Sequence, residues 1–476
     1  MSAYLLPDGL DLDRALASHL AVEAEPARRS TLTFYDTFDG RLHAAGLTLR
    51  HDDGTLALLD RATGAEITRA PLAAAPGRLF AHDLPPQLRN RLAAIIEMRA
   101  LTLLAQVATR SRKFAVLNDD AKTVVRLSEE APKGLRTRIQ TLPVRGYDSD
   151  LQRVHKVLTV SLGLTKTDEP LADEAIGATG APPAGTSSKL DVELTRGQSA
   201  GAAAEAVLAR TQAIAAANLP GTLEDIDSEF LHDLRVAVRR ARSLLRELKT
   251  VFPERRLQRL RDDLKWVQAV TGEMRDLDVQ LLDFEDYEDR DRLAALRDVL
   301  EAHRARALTK MKRDLRSRRA TRAFTAWADL RAINDTPPIE DIAAERIAKV
   351  YRQMLKMGAA IDDDTEPEAL HELRKKGKEL RYLLEFFGGL FDPDVAKPMV
   401  KALKALQDVL GRHQDFEVQA DTLRGLTPEV DDREALLAMG VLIDRLSTEQ
   451  HRARTEFAAQ FAAFAEWRKA VKATFA

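Results

Sequence analysis

Two patterns of apolar and polar positions divide this chain of 476 residues. Up to about residue 165, short alternating or β-rich runs recur: "TLTFY" (31–35), "LTLRH" (47–51), "TLALLD" (55–60), "KTVVRLSEE" (122–130) and "LRTRIQTL" (135–142). Turn signals separate them, among them "DDG" (52–54), "NDD" (118–120) and "PKG" (132–134), so the pattern predicts an antiparallel sheet or open barrel. One segment breaks the alternation. "LPPQLRNRLAAIIEMRALTLLAQ" (84–106) has helical spacing, with Pro85 and Pro86 suited to a first turn, and predicts a helix. From about residue 196 the period is 3.6 throughout, interrupted only by short breaks such as "NLPG" (218–221), "NDTPP" (334–338) and "FGGLFDP" (387–393). Between the two regimes, residues 165–189 are poor in large apolar side chains and rich in Gly, Pro, Ala, Ser and Thr, which reads as a linker. The expected fold class is α+β: an antiparallel β-rich domain at 1–164, a linker at 165–195 and an all-helical domain at 196–476.

The helical part repeats itself. A shift of 139 residues lays "LHDLR" (231–235) on "LHELR" (370–374), and "LKWVQAVTGEMRDLDVQ" (264–280) on "LKALQDVLGRHQDFEVQ" (403–419). Lys265, Gln268, Gly272 and Asp276 recur as Lys404, Gln407, Gly411 and Asp415 without a gap. Two copies of one helical unit, about 196–335 and 336–476, imply a pseudo-two-fold arrangement.

Composition narrows the chemistry. With no cysteine there is no disulfide, no thiolate metal site and no cysteine nucleophile. Aromatics make up 5%, too few to expect stacking platforms for single-stranded nucleic acid. No apolar stretch approaches the length of a membrane span, and the start lacks the pattern of a secretory signal, so a cytoplasmic protein is expected. No P-loop, nucleophile elbow or HExxH spacing occurs, and neither a cofactor nor a metal is expected.

The totals, 72 basic against 74 acidic residues, hide a segregation. On a helix His232, Arg235, Arg239, Arg242 and Arg246 fall at steps of three and four, inside an arc of roughly 80°, apart from the apolar stripe Leu234, Val238, Ala241 and Leu245. The second copy has His371, Arg374, Lys378 and Arg381, and a third row runs His303, Arg306, Lys310, Arg313. Each row alone is most simply a solvated face. Carboxylates are nearly absent from these rows, however, and cluster elsewhere, as in "EDIDSE" (224–229) and "IDDDTEPE" (361–368). Like charges stacked at i+3 and i+4 cost stability, and an anion that neutralises them explains their retention. Arginine and lysine at helical pitch suit repeated phosphates.

The pattern "ExxHDLRVAVRRARSLL" (229–245), followed by "LKxxQxxxGxxRD" (264–276) and repeated from 371, resembles the CHAD domain, the conserved-histidine α-helical domain. The resemblance covers roughly 196–476 and implies two helical bundles related by pseudo-symmetry around a basic channel that binds inorganic polyphosphate. The positions it assigns are His232, Arg235, Arg239, Arg242 and Lys265, then His371, Arg374, Lys378, Arg381 and Lys404. Glu379 and Gln414 depart from the pattern, so the second half is expected to bind more weakly. At the front, "FYDTFDGRLHAAGLTLR" (34–50) is similar to a segment of CYTH domains, whose enzymes hydrolyse triphosphates in a β-tunnel with an ExExK metal strand. Here "MSAYLLPDG" carries no such strand, and "LRTRIQTLPV" (135–144) has no carboxylate, so the domain is expected to be degenerate and not catalytic. A solvated strand face is the favoured reading of Arg50, Arg112, Lys113, Arg126, Arg136 and Arg138 over a phosphate surface.

The leading expectation is therefore a polyphosphate-binding protein, associated with polyphosphate granules, that uses the basic rows listed above together with Arg246, Arg306, Lys310, Arg313 and Lys375. The alternatives are a triphosphatase or polyphosphatase acting through the front domain, and a nucleic-acid binder using the same face, the latter disfavoured. No membrane partner is expected.

Overall fold

The structure, a computed structural model, describes residues 2–7, 9–285, 287, 290–362 and 365–475. The chain forms two compact units, Met1–Ser188 and Lys189–Ala476.

The first unit is one antiparallel sheet of eleven strands. These are β1 (Ser2–Leu5), β2 (Ala21–Ala24), β3 (Arg28–Thr37), β4 (Leu47–Asp52), β5 (Thr55–Asp60), β6 (Glu66–Pro71), β7 (Arg78–Leu79), β8 (Leu101–Leu117), β9 (Thr123–Pro132), β10 (Arg138–Pro143) and β11 (Thr165–Thr167). Their order is β11-β1-β10-β9-β8-β3-β4-β5-β6, with β2 and β7 also pairing to β8. Five α-helices accompany the sheet: α1 (Leu12–Ala17), α2 (Arg41–Ala44), α3 (Pro86–Ile96), α4 (Asp148–Lys156) and α5 (Leu171–Ala178). Strand alternation sends neighbours to opposite faces. Tyr35 joins Leu88, Leu92 and Ile96 of α3 in one core. Phe34 and Leu32 join Leu171, Ala175 and Ile176 of α5 in another.

Two expectations are corrected. The helix expected over 84–106 stops at Ile96, because Glu97 turns to φ 51, and residues 101–106 open the long strand β8. Hydrophobic runs this short fit either period, and here pairing of β8 with β3 over ten residue pairs decides for the strand. The linker expected at 165–195 is structured over its first part. β11 pairs with β1, α5 packs on the sheet, and Gly40 and Gly185 approach so closely that a Cβ on Gly40 would lie 2.1 Å from the Ala184 carbonyl. Few large side chains sufficed: Leu171 and Ile176 anchor α5, and the approach at Gly185 is backbone on backbone.

The second unit is helical: α6 (Ala200–Glu224), α7 (Ser228–Glu247), α8 (Glu254–Val270), α9 (Gly272–Phe284), α10 (Ala294–Leu315), α11 (Arg318–Ala328), α12 (Ile339–Gly358), α13 (Pro367–Phe387), α14 (Pro393–Leu426), α15 (Arg433–Ala465) and α16 (Arg468–Thr474). The 139-residue shift maps α6 onto α12 and α7 onto α13, so the duplication seen in sequence is a duplication of helices. One core runs through both copies and includes Leu234, Val238, Ala241 and Leu245, the stripe predicted for α7. Asp227 caps α7 by accepting from the amides of Glu229 and Phe230 at 3.0 and 3.2 Å. Gly221 lets α6 approach it, since a Cβ there would meet the Phe230 ring at 2.3 Å.

The copies differ at the joint that follows α8. Copy one breaks at Thr271, whereas copy two runs through the matching Leu410 as a single helix, α14. Arg235 donates to the Gln268 carbonyl and the Thr271 hydroxyl, both at 2.9 Å, and so competes for a carbonyl that the continuing helix would use.

Candidate anion-binding site

The basic face of α7 meets α8 and α13 around an open cavity of about 660 Å³. α7 contributes Arg239, Arg242, Ser243 and Arg246; α8 contributes Gln258, Arg261, Asp262 and Lys265; α13 contributes Lys375, Lys378, Glu379 and Tyr382. Seven cations thus face two carboxylates across both copies of the repeat. Among the described residues Arg239, Arg242, Arg261, Lys265 and Lys378 have no carboxylate within ion-pair distance, while Lys375 pairs with Glu372 and Arg246 with Glu247.

Unneutralised charge shows in the protonation equilibria. The Lys378 ammonium is open to solvent but ringed by protein. That partial desolvation, then Arg374, Arg239 and Arg381, lowers its pKa to about 8 against the pull of Asp415. Burial, Arg246 and Arg261 likewise lower the pKa of Arg242. Cations held this close destabilise one another, and a bound anion would relieve them.

The remaining sequence candidates do not line the cavity. Arg235 is a clamp on the α8–α9 joint; burial, followed by Arg239, brings its pKa down to about 10. Its counterpart Arg374 pairs with Asp415 at 3.1 Å, and Arg381 pairs with Glu385 at 2.7 Å. Lys404 is exposed on α14. The third row is dispersed: the His303 ring meets Glu429 at 2.7 Å, Lys310 meets Glu273 at 3.0 Å and Arg313 meets Asp314 at 3.0 Å, while Arg306 is exposed on α10.

The histidines head the helices but stand outside the cavity wall. His232 is half-buried near the start of α7, and in the first turn of that helix the Glu229 carboxylate has Arg275 at 3.9 Å. In copy two Gln414 replaces that arginine and hydrogen-bonds the His371 ring. His371 therefore lies in a small acidic pocket with Glu368, Glu417 and Asp421. Glu368, His371 and Glu372 bring ligand atoms within 4.8 Å of one another, a grouping the sequence reading did not anticipate. It is partly exposed, and Lys375 holds Glu372.

Arg261 was missed by the sequence reading. It stands one turn before Lys265 on the same face of α8, so the i, i+4 spacing could have found it. In copy two Val400 replaces it, and Glu385 and Glu379 replace Arg246 and Arg240 under the same shift. These carboxylates meet copy-one arginines: Glu385 lies 3.1 Å from Arg240, and Glu379 lies 3.6 Å from Arg246. The two contacts are related to each other by the repeat itself. A strict repeat would have set arginine against arginine at both.

On the sheet, four of the candidate arginines are answered internally. Arg50 pairs with Glu130 at 3.0 Å, Arg112 with Glu129 at 3.2 Å, Arg136 with Glu174 at 3.0 Å, and Arg138 with Glu174 as well. β10 carries no carboxylate of its own; Glu174 comes from α5.

Comparison with known proteins agrees with this architecture. The CHAD domain family model matches residues 205–424. Two uncharacterized proteins of Mycobacterium tuberculosis, from different strains, are each 28% identical over 213 residues, covering 41% of this chain. The match spans about 40% of the length of those relatives. The crystal structure of the CHAD domain from the plant Ricinus communis superposes with a TM-score of 0.51 at 26% identity, covering 58% of this chain and 95% of that one. The antiparallel sheet of the first unit is consistent with a CYTH-like domain. With helices duplicated about a shared core and both the sequence family and a solved fold in agreement, residues 205–424 of this chain are a CHAD domain.

Proposed function

We propose that the chain binds inorganic polyphosphate in the cavity between α7, α8 and α13, as a binding protein rather than a catalyst. The observation that carries this reading is the convergence of seven cations from both copies on one open cavity with only two carboxylates. Arg239, Arg242 and Arg246 follow one another along α7 at rises of about 4.5 and 6 Å, a ladder suited to successive phosphates of a linear chain. Stacking surfaces that would favour nucleobases are scarce, since Tyr382 is the one aromatic lining the cavity. The copy-two carboxylates leave the charge concentrated on α7 and α8, so the first copy carries most of the affinity. Retention on polyphosphate granules follows from such binding.

The test is titration of labelled long-chain polyphosphate into the full chain and into an Arg239→Glu/Arg242→Glu variant. Each lost charge-assisted contact is worth roughly tenfold. We expect affinity to fall about a hundredfold or more with the helical circular dichroism unchanged. Equal affinity in the two proteins would remove the cavity from consideration.

A further inference from the structure

A second groove with a basic lining lies among helices of the second copy, and its lining shares no residue with that of the basic cavity. We propose that a groove between α12 and the α15–α16 junction binds a nucleotide, a phosphate ester carrying a planar apolar group. The groove encloses about 480 Å³ and is lined by Arg352, Leu355, Lys356 and Ala359 of α12, Phe461 and Ala465 of α15, and Arg468 of α16. That volume falls within the range of small-molecule sites.

Three features carry the assignment. First, the lining holds three cations and no carboxylate. Among the described residues none of Arg352, Lys356 and Arg468 has an ion-pair partner, although each is exposed and free to find one. The Arg468 charge reaches inward as well: it opposes the burial that pushes the Tyr351 hydroxyl up to about 12. Second, the floor between the cations is apolar. Leu355 and Phe461 are partly buried and packed on the core. Phe461 is set against Gly358, where a Cβ would lie 2.0 Å from the ring, so the backbone of α12 fixes the ring's position. Third, nothing in the duplicated scaffold demands these residues. Under the 139-residue shift Arg352, Leu355 and Lys356 correspond to Ala213, Ala216 and Ala217 of α6, which forms the same helix with no charge there.

The chemistry selects the occupant. Inorganic polyphosphate would use the three cations and leave the apolar floor in water. A nucleotide uses both, its phosphates on Arg352, Lys356 and Arg468 and its base over Phe461 and Leu355. Substrate turnover is not implied, since no acid or nucleophile lines the groove.

The experiment is isothermal titration of the full chain with ATP and, separately, with tripolyphosphate, both in the presence of a chelator. It is run on wild type, on Arg352→Glu/Lys356→Glu and on Arg239→Glu/Arg242→Glu. We expect saturable ATP binding that weakens at least tenfold in the α12 variant and persists in the α7 variant, with tripolyphosphate binding more weakly than ATP at the α12 site. ATP binding lost only in the α7 variant would place it in the basic cavity and overturn the proposal. Absence of ATP binding would overturn it too. Tripolyphosphate equal to ATP at the α12 site would show a bare anion patch in which the apolar floor plays no part, and the nucleotide assignment would fall.

Discussion

Lys378 is the side chain on which the solution behaviour of the cavity turns. Its pKa near 8 leaves it charged below about pH 7 and neutral above about pH 9. The sign follows directly: a protonated lysine attracts the anion, so under the proposed function polyphosphate affinity is expected to be constant below the pKa and to decline as pH rises through it. One lost charge contact corresponds to about a tenfold weakening. Replacing Lys378 by arginine, which stays charged, flattens the profile. Anisotropy titrations from about pH 6.5 to 9.5 read both curves. A wild-type affinity that holds constant across that range, or a Lys378→Arg protein that still declines, would remove Lys378 from the binding surface. The ring of His371, by contrast, faces Gln414 in a pocket lined by carboxylates.

At the level of the helices, the two copies are made unlike where they meet. α7 presents Arg240 and Arg246 towards α13, and α13 answers with Glu385 and Glu379. Glu379 and Glu247 are buried, and Arg346 of α12 reaches both. A double-mutant cycle with Arg240→Met and Glu385→Met measures this complementarity. The pair is partly buried, so a coupling of about 1 kcal/mol is expected in urea unfolding, while additive effects would mean that the contact contributes nothing. Much of this level was legible in the sequence. The apolar stripe of α7 and the register of the repeat are short-range periodicities, and both recur in the packed helices. What escaped depends on contacts distant along the chain. Arg235 shares the spacing of the row, and the sequence could not show that its guanidinium also bonds the α8–α9 joint. The row at His303, Arg306, Lys310 and Arg313 shared the spacing, but Glu429 and Glu273 approach it from other elements. The strand at 101–106 was hidden for the same reason, since its partner β3 lies some seventy residues earlier.

Across the whole molecule, near-neutrality is a balance of separated charges rather than an even mixture. In the first unit Arg50, Arg112, Arg136 and Arg138 meet its own carboxylates, with Glu174 of α5 serving both Arg136 and Arg138. The helical unit leaves five cations of its cavity without carboxylate partners among the described residues. The binding proposed there is electrostatic, so it would release counterions from the polyanion and weaken steeply with salt. Salt dependence therefore tests the central claim most directly. Long-chain polyphosphate of defined length is titrated into the full wild-type chain at about 0.05 M and about 0.2 M salt. Five neutralised phosphates predict a loss of affinity of about a hundredfold between the two, by the counterion relation for flexible strands. Binding that changes less than about threefold over that range, or no binding at the lower salt, would contradict the account.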